Sequence, residues 1–289
     1  MHLSKKEKSK MLFLFAIPFF YLIITRIFPM LYTVYYSSTE YNMIWDKNPT
    51  FVGFDTYKSV FSDQSFIRSI FLSLEFAVIA VSVEYILGLS EALLLDYSFR
   101  SRHILLGILI LPMVLAPSVI GIAWYIMYND RIGVINFALS AFGIPNQGWL
   151  SNPRIALFSV IIADVWQWTP FVFLLISSSL QTISQQLYEA ARVDGANIWH
   201  IIWYIKLPCL KATALSTILL RFMDAFREYD KVYIMTNGGP GIATDLSTIH
   251  VYKSAFKVFD TSSASAMAVI LLLFISVLYA ICLKTTKDI

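Results

Sequence analysis

The chain has 289 residues, of which 57% are hydrophobic and 14% charged, with a formal net charge of +3. That balance excludes an ordinary soluble domain, because the apolar residues gather into runs long enough to cross a hydrocarbon core. The charge forms no basic patch of the kind nucleic acid needs, and Cys209 and Cys282, both at or within apolar runs, give no disulfide framework.

Residues 1–10 are polar, with Lys5, Lys6, Lys8 and Lys10 set against Glu7, and lead into an apolar run at 11–35. The run is too long for a signal-peptide core and lacks a small-residue cleavage site, which predicts an uncleaved first span. Arg26 and Pro29 interrupt it. Residues 36–70 are polar and aromatic and read as an external segment against the membrane surface. A second span over 71–95 carries Glu75, Glu84 and Glu91, with Glu84 the deepest. A carboxylate at that depth needs an ion pair, a structural hydrogen bond or a water-filled route. A turn at 96–103 holds Arg100 and Arg102, and a third span follows at 104–127, where Pro112 and Pro117 predict a bend or local opening.

An external loop at 128–153, containing Trp149, leads to a fourth span at 155–179 with the sequence ADVWQWTPFVFLL. It brings Asp164, Trp166, Trp168 and Pro170 together, and Trp166 and Pro170 share a helical face. Aromatic faces beside an acceptor suit a hydroxyl-rich solute. The competing reading is that Asp164 pairs between helices while the tryptophans pack.

A mostly polar interruption follows, TISQQLYEAARVDGANIWHIIWYIKLP at 182–208. It predicts a helix from about Ile183 to Asp194, with Thr182 and Gln185 at capping-box spacing and Ser184 as the alternative cap. Gly195 stands where a left-handed residue would end that helix. A second helix is expected from Asn197 toward Leu207, with Pro208 opening the next apolar helix. Ile183, Leu187, Ala190 and Ala191 make one face small or apolar, suited to burial by another protein.

The fifth span, 209–233, turns polar in RFMDAFREYDKVYIMTNGGPG at 221–241. Arg221 and Asp224 are three apart, as are Arg227 and Asp230, which is the spacing for local ion pairs. Gly238, Gly239 and Pro240 break the helix outside. Residues 242–261 return toward the membrane for a sixth span at 262–284. Six spans put both termini on one side, and the lysines before the first span place that side in the cytoplasm. The fold expected is therefore all-α: a polytopic membrane protein with six transmembrane helices over 11–284, tails at 1–10 and 285–289, and a helix-turn-helix within 181–208. No GxxxxGK[ST] or G-x-S-x-G occurs, and His2, His103, His200 and His250 have no metal-ligand spacing, so no bond chemistry is expected. From residue type and depth, Glu84, Asp164, Trp166, Trp168 and Asp224 are the candidates for a substrate path.

The spacing of Glu189-Ala190-Ala191, Gly195, Ile205 and Leu207-Pro208 resembles the cytoplasmic coupling loop of ABC-transporter membrane subunits fed by a solute-binding protein. More narrowly, YEAARVDGANIWHIIWYIKLP is similar to the form in carbohydrate-importer permeases of the maltose-permease superfamily. Arg221, Phe226, Asp230, Tyr233, Gly238, Gly239 and Pro240 resemble a second signature of those permeases, with Asn237 where many relatives have glycine. The resemblance implies that Glu189, Ala190, Ala191, Asp194, Gly195, Leu207 and Pro208 transmit the closure of an ATPase subunit. It further implies a second homologous permease subunit in a heterodimer, two ATP-binding subunits and an extracytoplasmic solute-binding protein. No cofactor belongs to this chain under that reading, ATP and Mg being used by the ATPase subunits, and the location is a prokaryotic inner membrane. A sugar is the favoured solute, with a polyol or a glycerol phosphodiester-like solute as the alternatives. The competing classes are an ion-gradient transporter using Glu84, Asp164 or Asp224, and a membrane scaffold that transports nothing.

Overall fold

Apolar runs free of proline fold as unbroken helices, and each proline-bearing run shows how its helix accommodates the missing N–H. The computed structural model describes residues 5–96 and 102–287. In chain order the elements are α1 (Lys5–Leu22), a π-helical turn at Ile23–Ile27, α2 (Phe28–Tyr36), β1 (Thr39–Glu40), β2 (Thr50–Phe51), α3 (Asp55–Ser62) and α4 (Gln64–Leu94). Then come α5 (Arg102–Val114), α6 (Pro117–Met127), α7 (Val134–Ser140), α8 (Ala156–Leu180), α9 (Gln185–Val193) and α10 (Ile198–Ile201). A second π-helical turn at Ile202–Lys206 precedes α11 (Leu207–Phe226), α12 (Asp230–Met235), α13 (Ser247–Phe256) and α14 (Thr261–Lys287). The first four residues of the expected N-terminal tail, most of the 96–103 turn with Arg100, and the last two residues of the expected C-terminal tail lie outside the described residues.

Among the described residues, five helical runs are long and apolar enough to cross a membrane, and the bent pair α5–α6 makes a sixth. Pro29 and Pro208 each fall two residues after a π-helical turn. The wider turn absorbs the strain that proline places on the preceding carbonyl, so the helix continues. Pro208 therefore does not open a separate helix as expected: the second arm of the hairpin and the fifth span form one run from Ile198. Pro117 does the opposite. Ala116 before it is extended, at ψ 139°, as a pre-proline residue prefers. The expected bend in the third span is consequently a break, with α5 and α6 at 96°.

The chain divides into two compact units, residues 1–66 with 251–274, and residues 67–250 with 275–289. In the first, the span Leu14–Tyr36 has none of its apolar window buried, and Arg26 is exposed. The expected external segment is a small folded piece here: β1 pairs antiparallel with β2, and Thr56 Oγ1 donates to the Thr39 carbonyl at 2.8 Å. The start of α14 joins it through Thr39 Oγ1 and Ser262 Oγ, 3.1 Å apart. Helix α4 begins at Gln64, ahead of the expected boundary at 71.

The second unit is built round α8, two-thirds of whose apolar window is buried. Val172, Phe173, Ile176 and Leu180 of α8 form a cluster with Ala92 of α4 and Leu210 of α11, and Ile183 packs against it. At Gly88 a Cβ would lie 2.8 Å from the Val172 side chain and 2.9 Å from a backbone nitrogen, so only glycine lets α4 approach α8 this closely.

Candidate functional site

Two polar regions of the second unit carry nearly all the residues that the sequence singles out. The first is a buried charge cluster. Arg221 of α11 donates from Nε to Glu84 Oε2 at 2.8 Å and from an Nη to Glu84 Oε1 at 3.0 Å, a bidentate pair with α4. The same guanidinium reaches Asp164 Oδ2 of α8 at 3.1 Å. Lys231 of α12 lies 2.7 Å from Asp164 Oδ1 and 2.9 Å from Glu228 Oε2, and donates to Gln167 Oε1 at 2.9 Å. Trp168 stacks over the guanidinium, with its centroid 4.7 Å away. Glu84, Asp164, Gln167 and Lys231 are inaccessible to solvent. Gln167 also donates to the Leu115 carbonyl at 3.2 Å, at the break between α5 and α6. A carbonyl freed by the break thus has a donor inside the protein, as backbone at membrane depth requires.

This arrangement corrects two expected pairings. Arg221 does not turn to Asp224 but reaches across to α4 and α8. Arg227 pairs with Asp224 at 2.9 Å, both side chains more than half exposed, and not with Asp230. Lys231 and Gln167 are members that sequence reasoning missed: Lys231 stands next to Asp230 in a charged run, where a local pair is the simpler expectation, and Gln167 is an uncharged residue between two tryptophans. Of the other signature residues, Phe226 is buried, Asp230 opens α12, and Tyr233 stacks on Tyr229 at 5.3 Å. Asn237 takes the left-handed conformation at φ +50°, as asparagine tolerates, just before Gly238.

Trp166 lies apart from the charge cluster. It is 44% exposed and meets Trp124 of α6 edge-on at 6.0 Å. With Pro170 and Thr169 it lines an apolar groove of about 710 Å³ between α4, α5, α6 and α8. The shared face of Trp166 and Pro170 is present; Trp168 and Asp164 point to the charge cluster instead.

The second region is the hairpin of α9 and α10. Gly195 has φ +79°, and its N–H donates to the Arg192 carbonyl at 3.1 Å while that of Ala196 donates to Ala191 at 2.9 Å. These two bonds make a Schellman ending, which glycine adopts without steric cost. Asn197 Oδ1 accepts from the His200 N–H at 2.9 Å and caps the next helix. At the entry the expected capping box does not form: Ser184 occupies the cap position without a side-chain bond, and Thr182 Oγ1 donates back to the Ser179 carbonyl. Glu189, Ala190, Asp194 and Gly195 are exposed, Ala191 is half-buried, and Leu187 offers an apolar side chain that is 50% exposed. Tyr188 turns inward, and burial, aided by the charge of Asp96, raises its phenol above the ordinary value. Lys206 is buried at the root of the second arm, donating to Asp96 Oδ2 at 2.6 Å. Leu207 and Pro208 continue from it into α11.

Residues 84–284 match the family model described as "Binding-protein-dependent transport system inner membrane component". The chain is 36% identical to the probable ABC transporter permease protein y4oQ of Sinorhizobium fredii, over 86% of this chain and 80% of that protein. It is 34% identical to the trehalose/maltose transport system permease protein MalF of Thermococcus litoralis, over 92% of this chain and 90% of that protein. Among solved structures it resembles a chain of the bacterial alginate ABC transporter in complex with an alginate pentasaccharide-bound periplasmic protein. The TM-score is 0.85 at 19% identity, covering 97% of this chain and 95% of that one, a likeness of fold.

Proposed function

Since this chain belongs to the binding-protein-dependent transport system inner membrane components, multi-pass permeases that are not enzymes, we propose that it forms the path for a carbohydrate and couples it to separate ATPase subunits. In this reading a loaded solute-binding protein docks on the external segments, a second homologous permease completes the path, and two ATPase subunits bind ATP and Mg beneath the membrane. Both termini are cytoplasmic, and so is the 181–208 loop.

The observation that carries the coupling role is the hairpin itself: Glu189 and Ala190 exposed, Ala191 half-buried beside them, and the helix ended by the Schellman turn at Gly195. A partner closing on such a knob displaces it as a body, because two capped helix ends leave little to bend. Transport then follows from different contacts in two states, with the free energy supplied by ATP elsewhere. The carbohydrate assignment leans on the trehalose/maltose relative and on Trp166 and Trp124, which line the apolar groove. Of the route candidates, Trp166 and Asp224 present accessible surface, while Glu84, Asp164 and Trp168 are engaged by cations and serve as framework.

An ion-gradient mechanism would need a membrane carboxylate able to exchange its partner. Glu84 and Asp164 are each held by a buried cation at 3.1 Å or less, which disfavours that role for these two; Asp224, whose pair with Arg227 is exposed, is the candidate that the uptake test below addresses. The test is reconstitution with the second permease, the ATPase subunits and the binding protein in vesicles. Sugar accumulation that requires both ATP and binding protein is expected; uptake by this chain alone under an ion gradient would overturn the proposal.

A further inference from the structure

We propose that Lys206 and Asp96 form a latch that fixes the hairpin's direction on its spans, making Lys206 a positioning residue for coupling; this rests on the coupling role proposed above. Lys206 closes the π-helical turn and its side chain is 6% exposed, where a lysine at the end of a span ordinarily snorkels to water. Its ammonium donates to Asp96, two residues beyond the end of α4, at 2.6 Å. It also lies 5.7 Å from the centroid of the Tyr188 ring, and Tyr188 immediately precedes Glu189 in α9. From the root of the second arm, one side chain therefore meets both the first arm of the hairpin and the end of a separate span.

The apolar contact of Ile183 with the Ala92, Phe173 and Leu210 cluster holds the same joint, but such contact is not directional. A short ion pair is directional. The extra residue in the π-helical turn matters for the same reason, since one added residue displaces every later position by about 100° round the helix. The face on which Lys206 emerges relative to α11 thus depends on that turn. With the latch closed, a push on α9 is delivered to α4 and α11 together. With it open, the hairpin pivots on Ile183 and part of the movement is lost.

The experiment compares Lys206→Met, Asp96→Asn and the exchanged pair Lys206→Asp with Asp96→Lys in the complete reconstituted transporter, at matched ATPase-subunit content. The readout is solute imported per ATP hydrolysed. Each single variant is expected to lower that ratio about tenfold, within the range typical of coupling between sites, and the exchanged pair to restore most of it. Wild-type ratios in both single variants, or losses in them that the exchange does not repair, would overturn the latch. Gly195→Val, measured in parallel, separates this from the underlying reading: an unchanged ratio there overturns the coupling role of the hairpin itself. Loss in Gly195→Val with none in the latch variants overturns the latch alone.

Discussion

The charge cluster and the hairpin lie in the same unit and are both rich in polar residues, yet they are stabilised in opposite ways. In the cluster, Arg221 bridges Glu84 of α4 and Asp164 of α8, and Lys231 holds Asp164 and Gln167 of α8, so removing one member strands the rest. At the tip of the hairpin the polar groups serve their own turns: Asn197 caps the second arm and Gly195 closes the first, while at its root Lys206 reaches the end of another span, at Asp96. The first region resists deformation because charges in a low-dielectric interior are costly to unpair. The second keeps its shape but leaves its face uncovered. Under the coupling role proposed above, the cluster is a frame that does not yield and the hairpin a lever that moves as one piece.

That contrast is sharpened first by Arg221→Met, which leaves Glu84 and Asp164 facing each other without the guanidinium. Breaking such a buried pair costs about 3–5 kcal/mol, and we expect a large loss of folded protein in detergent, followed by thermal melting. Normal folding with transport abolished would instead make the cluster a transport element. Gly195→Val should act in reverse. A β-branched residue in the left-handed region costs about 1–2 kcal/mol, spent locally, so melting should move little while import per ATP falls sharply. Asn197→Ala removes one cap, worth about 1 kcal/mol, and faster amide exchange at 198–201 is the expected sign. Asp224→Asn is the smallest change. The pair with Arg227 is exposed, so its stability effect should stay below about 1 kcal/mol; a raised half-saturating solute concentration at unchanged stability would place Asp224 on the route.

The number of spans and the ends of the hairpin were legible because each rests on short-range chemistry. An apolar run announces a span, Gly195 a helix end and Asn197 a beginning. The partners of Arg221 were not legible. Spacing on one helix favoured Asp224, three residues on, whereas the acceptors that hold it lie 137 and 57 residues away. Burial decides between them, since an arginine at membrane depth takes carboxylates that share its dry surroundings, and Asp224 faces outward. Prolines were equally ambiguous. Pro112 stays inside a helix and Pro117 breaks one, and the break has Gln167, from another helix, donating to the carbonyl at Leu115. Lys206 escaped notice because nothing nearby in sequence marks Asp96 as its counterpart.

The corner at Ala116 has a consequence for the bilayer. Unbent, helices of 13 and 11 residues would make a rod of about 36 Å at the α-helical rise, but they are set at 96°. A typical hydrocarbon layer is roughly 30 Å deep. The elbow turns one arm away from the direction of the other, and at its corner the Leu115 carbonyl meets Gln167 in place of lipid.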